Sequence, residues 1–116
     1  MENKTELEKS KPHFIAGLVN YVLDSVVVKT IVKKLSGNIS VMAFDKGEGL
    51  TEKTSPFDSF AQVIEGDAEI VIDKVSNLVD SGKGILIPSG SSNSIKPNGR
   101  FKMILINLKT TDKKLP

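Results

Sequence analysis

The sequence has no cysteine, no tryptophan and one histidine, His13. Without cysteine there is no disulfide frame, no thiolate nucleophile and no zinc-finger or iron–sulfur site. With one imidazole, any site that needs two from the same chain is excluded. No run approaches the ~18–20 apolar residues of a membrane-spanning helix, so no membrane association is expected. The opening stretch, Met1–Lys11, is polar and mixed in charge, without the apolar core that follows a basic cap in a secretion signal; a soluble, cytoplasmic protein is expected. An excess of one charge is also lacking. The 16 Lys and Arg face 14 Asp and Glu, and the net +2 resides in the terminal stretch that holds Lys109, Lys113, Lys114 and Asp112. No basic stripe with interleaved aromatics occurs elsewhere, so no nucleic-acid partner is expected.

What is present describes one ordinary domain. At 116 residues, 39% hydrophobic and 26% charged, the chain is long enough for a single core and too apolar to be disordered. Residues 1–13 read as a flexible lead-in. Phe14–Leu23 is apolar with mixed periodicity, and a short helix or a strand fits it equally. From Val26 the pattern is β. Val26–Lys34 is rich in β-branched residues, and Asn38–Phe44 sets Ile39, Val41 and Ala43 against Ser40, Met42 and Phe44. Phe57–Ile64 and Asp67–Ile72 read as a hairpin joined at Glu65-Gly66, with Ala68, Ile70 and Ile72 on one face. Tight turns are expected at Asp73-Lys74 and Ser81-Gly82, and a polar loop over Ser89–Ser94. Asn98-Gly99 offers the positive-φ pair of a type I′ turn. Phe101–Leu108 is the last strand, with Phe101, Met103 and Leu105 on one face. Short strands punctuated by Gly, Pro and Asn, without βαβ rhythm or internal repeat, predict an all-β sandwich or barrel.

Two spacings are more specific. The first runs Gly47, five residues, Lys53, Thr54, Ser55, three residues, Ser59, six residues, Gly66. The second runs Gly82, five residues, Pro88, Ser89, Gly90, two residues, Asn93, three residues, Pro97. These resemble the paired motifs of the cupin superfamily, G-x5-H-x-H-x3,4-E-x6-G and G-x5-P-x-G-x2-H-x3-N. Every glycine and the loop proline are in register, as are Phe44, Pro56 and Phe101 at strand ends and loops. The likeness spans Val26 to Leu108 and is to short, single-domain bacterial cupins. It implies an RmlC-like jelly roll, a double-stranded β-helix, over residues 14–108, with a charged tail at 109–116.

In metal-bearing cupins three His and one Glu hold a divalent ion at the barrel mouth. The resemblance places Lys53, Ser55, Ser59 and Asn93 there. An ammonium has no lone pair and repels a cation, and hydroxyls are poor transition-metal ligands, so no metal and no other cofactor is expected. No His base reaches the implied pocket, since His13 lies outside both motifs. Lys53 has two readings. Its stem covers the rim while its ammonium meets water, Glu52 or Asp58; or it faces inward, to hold an anion or form a Schiff base. Ser55, Ser59 and Asn93 are either small polar fillers or, with Lys53, a pocket for a small polar or anionic ligand. Gly47, Gly66, Gly82, Pro88 and Gly90 are structural. Alternation from Ser59 sends Ala61 and Val63 inward and Phe60 and Ile64 outward, which marks a homodimer face to which Phe14–Tyr21 could add. The expected function is a metal-free, non-catalytic cupin that binds a small ligand or acts as a dimeric interaction module. The alternative is a cupin enzyme of isomerase, lyase or oxygenase type with Lys53 in its active pocket.

Overall fold

The computed structural model describes residues 6–109. They form one turn of 3-10 helix, Ile15–Leu18, and nine strands: β1 (Val26–Lys34), β2 (Gly37–Phe44), β3 (Leu50–Thr54), β4 (Asp58–Glu65), β5 (Asp67–Ile72), β6 (Val75–Asp80), β7 (Gly84–Ile87), β8 (Ser92–Lys96) and β9 (Phe101–Leu108). One sheet runs β1-β2-β9-β4-β7 and the other β3-β8-β5-β6. All pairings are antiparallel. The result is a jelly roll, as the strand pattern and the motif spacing implied.

The period-2 alternation decides what fills the space between the sheets. β9 contributes Phe101 and Met103, β2 contributes Phe44 and Met42, and β4 contributes Val63 and Ala61. Ala68 and Ile70 come from the facing sheet. At the centre of one end the rings of Phe44 and Phe101 stack at 4.3 Å with 12° between their planes.

Several sequence expectations are corrected. The segments on either side of Glu65-Gly66 are not a hairpin, because β4 and β5 belong to different sheets. Gly66 (φ +75°) is instead the corner between the sheets, and a Cβ there would come within 2.4 Å of the Arg100 carbonyl oxygen. No side chain but hydrogen fits. Neither Asn98 nor Gly99 takes positive φ. The connection they make also crosses between sheets, from β8 to β9, so it need not match the twist of a paired ribbon. The positive-φ pair falls at Asp73 (φ 47°) and Lys74 (φ 69°), where β5 and β6 are true hairpin partners. The polar loop expected over Ser89–Ser94 is only half a loop. Its second half is β8, hydrogen-bonded between β3 and β5, and pairing on both sides overrides a weak strand propensity. β3 had no sequence signal, since it is a short, charged edge strand.

Phe14–Leu23 is neither a full helix nor a strand. Its 3-10 turn and the residues after it lie on the outer face of the larger sheet. Ile15, Leu18, Val19 and Tyr21 there cover Val41 and Ala43. Of the lead-in, residues 1–5 are outside the described region. From residue 6 the chain is tied to β1, with Leu7 N–H donating to the Ile31 carbonyl at 3.0 Å. The tail is described only at Lys109, whose N–H donates to the Ser36 carbonyl at 2.9 Å.

Candidate functional site

The inward faces grade from apolar to polar toward one end. β9 runs Phe101, Met103, Leu105, Asn107; β2 runs Phe44, Met42, Ser40, Asn38; β4 runs Val63, Ala61, Ser59. At the polar end the sheets part around a cavity of about 260 Å³. All four substituted ligand positions, Lys53, Ser55, Ser59 and Asn93, line it. Its apolar wall includes Leu50, Phe57, Ile87, Ile95 and Met103.

Each polar residue is placed by a strand or a turn. Lys53 stands directly opposite Asn93 across the β3–β8 ladder, so both point to the cavity side of the sheet. Ser55 lies just past the end of β3, where its carbonyl accepts Gly90 N–H at 2.8 Å and its Oγ accepts Phe57 N–H at 3.1 Å. Ser59 is buried, and its hydroxyl donates to Asn107 Oδ1 at 2.6 Å. Asn107 Nδ2 in turn donates to Asn38 Oδ1 at 3.1 Å.

Asn107 was missed from the sequence. The signal was there: it continues the inward series Phe101, Met103, Leu105, and a polar residue in that series marks where the core stops. Lys53 combines features of both its readings. It lines the cavity yet is exposed, and among the described residues no carboxylate pairs with it. The two carboxylates suggested as its partners are engaged elsewhere. Glu52 accepts from Ser92 Oγ at 2.5 Å and lies 3.7 Å from Lys74 Nζ. The Ser92 hydroxyl first and the Lys74 charge second hold the Glu52 carboxyl below its usual range. Asp58 accepts Ser89 N–H at 2.8 Å.

The donor set does not fit a transition metal. The cavity wall contains no His, Cys, Asp or Glu, and a lysine occupies one implied ligand position. His13 is half-buried in the lead-in, away from the cavity, where its Nε2–H donates to the Glu8 carbonyl at 3.0 Å.

A second polar cluster closes the opposite end from outside. Asp45 is 3% exposed; it accepts Asp24 N–H at 2.8 Å and Arg100 Nε–H at 2.7 Å. Those two bonds, the Asp24 amide first, hold its carboxyl below the usual range. Tyr21 lies under two cations, with Arg100 at 5.2 Å and Lys102 Nζ at 5.0 Å from its ring centre. Its hydroxyl donates to Glu65 Oε2 at 2.5 Å. Burial first and that bond second raise the phenol well above its ordinary value. Lys102, only 8% exposed, donates to the Ala16 carbonyl at 2.6 Å. The cluster therefore ties the pre-barrel segment to the barrel.

The outer-face expectation divides here. Ile64 is not an open docking residue, because it packs with Val19, Val41 and Ala43 under the chain's own pre-barrel segment. Phe60 is 37% exposed. It belongs to a lateral row in which each residue stands opposite the next: Val32, Ile39, Ile106, Phe60 and Leu86.

No family model and no curated protein matches this sequence. Solved structures do. A conserved protein of unknown function from Streptococcus pyogenes is 28% identical over 90% of this chain and 91% of its own, with a TM-score of 0.84. A cupin 2 conserved barrel domain protein from Leptotrichia buccalis is 28% identical with a TM-score of 0.78. The match covers 81% of this chain and 46% of that one, so this chain spans about half its length. A cupin superfamily protein from Desulfitobacterium hafniense shares the fold at 24% identity and a TM-score of 0.83, over 90% of this chain and 95% of that one. With this likeness, the chain belongs to the cupin superfamily. Among the described residues no helix is long and apolar enough to cross a membrane.

Proposed function

We propose that the protein is a metal-free, non-catalytic cupin that binds a small polar or anionic ligand in its barrel and works as a homodimer. The observation that carries the ligand reading is the convergence of Lys53, Ser55, Ser59 and Asn93 on one cavity with a cation and no carboxylate in its wall. The cavity is smaller than the ~300 Å³ at which pockets begin to take drug-sized ligands, which favours a compact guest. The wall has no histidine, carboxylate or phenol to serve as acid or base, and Lys53 lacks the burial that a Schiff-base role asks for.

Elemental analysis of untagged protein tests the metal-free part. Less than a tenth of an equivalent of any transition metal is expected, and stoichiometric iron, manganese, nickel or zinc overturns it. The dimer reading rests on the apolar row through Phe60, with Leu86 62% exposed at its end. Size-exclusion chromatography with light scattering is expected to show a dimer that Phe60→Glu converts to a monomer. A monomeric wild type, or a Phe60→Glu variant still dimeric, removes that face from the proposal.

A further inference from the structure

The direction in which the cavity's free groups point narrows the class of small molecule that fits. The cavity's Ser59 and Asn107 side chains are bonded to one another and to Asn38. The Ser59 hydroxyl proton goes to Asn107, and Asn107 uses its carbonyl oxygen on Ser59 and one amide proton on Asn38. Among the described residues, no side-chain hydrogen bond of the wall uses Lys53 or Asn93. Ser55 Oγ serves as an acceptor for Phe57 N–H, so its own proton remains to donate. The donors left over include those of Lys53, Asn93 and Ser55, which sit together. Lys53, the exposed member, marks this as the solvent side, and Asn93 and Ser55 are half-buried beside it. Inward from them lie Ile87, Ile95 and Met103, which are 6%, 7% and 0% exposed.

This layout suits an acceptor-only head at the rim with an apolar body behind it. A polyol would leave its inner hydroxyls against Ile87, Ile95 and Met103, where an unpaired polar group is expensive. A dianion would find one cation only, whereas a carboxylate has one charge for Lys53 and further lone pairs for Asn93 and Ser55. Resting on the ligand-binding reading, we propose that the barrel takes a small aliphatic or aromatic monocarboxylate, its carboxylate on Lys53, Asn93 and Ser55 and its hydrocarbon body against Ile87, Ile95 and Met103.

The test is calorimetric titration with propionate, butyrate, pentanoate, hexanoate, hexanamide, inorganic phosphate and glucose, repeated on Lys53→Met. Affinity should rise about fourfold for each added methylene until the cavity is full. Hexanamide, matched in shape but uncharged, should bind about tenfold or more weakly than hexanoate. Lys53→Met should shrink that difference by cutting hexanoate affinity far more than hexanamide affinity, with the melting temperature unchanged, since Lys53 is exposed. Carboxylates that bind with no dependence on chain length overturn the inward hydrocarbon body. Phosphate or glucose binding in the absence of carboxylate binding overturns the monocarboxylate class but leaves the small-ligand reading standing. Failure of every probe to bind overturns both.

Discussion

The two ends of the barrel interior are made by the same strands and differ in almost every physical respect. At the closed end Phe44 and Phe101 stack, both fully buried, with Val63 and Ile70 also at zero exposure. Outside them Asp45, Arg100 and Tyr21 form a tight polar clasp. At the open end the inward positions of the same β2, β4 and β9 become Asn38, Ser59 and Asn107, and a cavity replaces the core. Aromatic and aliphatic side chains hold the sheets together through close contact, which makes the closed end the anchor of the fold. Short polar side chains linked to one another leave room between the sheets. The molecule thus separates stability from recognition along single strands.

Substitutions can break this comparison, and the largest effect is expected at the anchor. Phe101→Ala should lower stability by ~3–5 kcal/mol, read as a shift in the urea unfolding midpoint, because the stacked partner and its neighbours cannot collapse into the space. The clasp should come next, and it should respond to pH. Asp45 has a depressed pKa in the fold, so the stability it lends is present above the unfolded value of about 4 and is lost as pH falls through the lower folded value. Urea midpoints at about pH 7 and pH 3 should therefore differ less in Asp45→Asn than in wild type; equal losses would place the acid sensitivity elsewhere.

Tyr21 works in the opposite direction. Its pKa is raised in the fold, so its contribution is intact below the unfolded value of about 10 and disappears as pH rises through the folded one. It is the one tyrosine in the chain, so phenolate absorbance reports on it alone. Slightly above pH 10 the folded protein should show no phenolate while the urea-unfolded chain shows it more than half formed. Tyr21→Phe should remove roughly 1 kcal/mol with the Glu65 bond, measured in the same urea titration. The smallest effect belongs to the open end, where Ser59→Ala should change stability by no more than about 1 kcal/mol. A Ser59→Ala loss as large as that of Phe101→Ala would mean that the cavity end also anchors the fold.

How much of this was legible follows from which residues carry a local signal. Gly66 and Gly82 marked reversals because positive φ belongs to glycine, and both adopt it, at +75° and +88°. What Gly66 could not reveal was whether the reversal stays in one sheet. Asn98-Gly99 failed for the same reason, since a turn motif describes four residues and not the sheets they join. Asn107 was readable as the polar end of the inward series Phe101, Met103, Leu105, whereas the row from Val32 to Leu86 was hidden because its members come from five separate strands. Ile64 was correctly placed on the outer face, but its cover, the pre-barrel segment, lies more than forty residues earlier in the sequence.

The sequence by itself determined the all-β class, the alternation that selects the core, the glycine corners and the loss of metal-ligating side chains. These depend on the period of a strand, on one residue's allowed φ and on the lone pairs of a side chain, none of which needs a partner. Only the tertiary structure decided which strands share a sheet, that Lys53 and Asn93 face each other across one ladder, and that Ser59 gives its proton to Asn107. Those are relations between residues distant in the chain, fixed when strands pair and the two sheets close around Phe44 and Phe101.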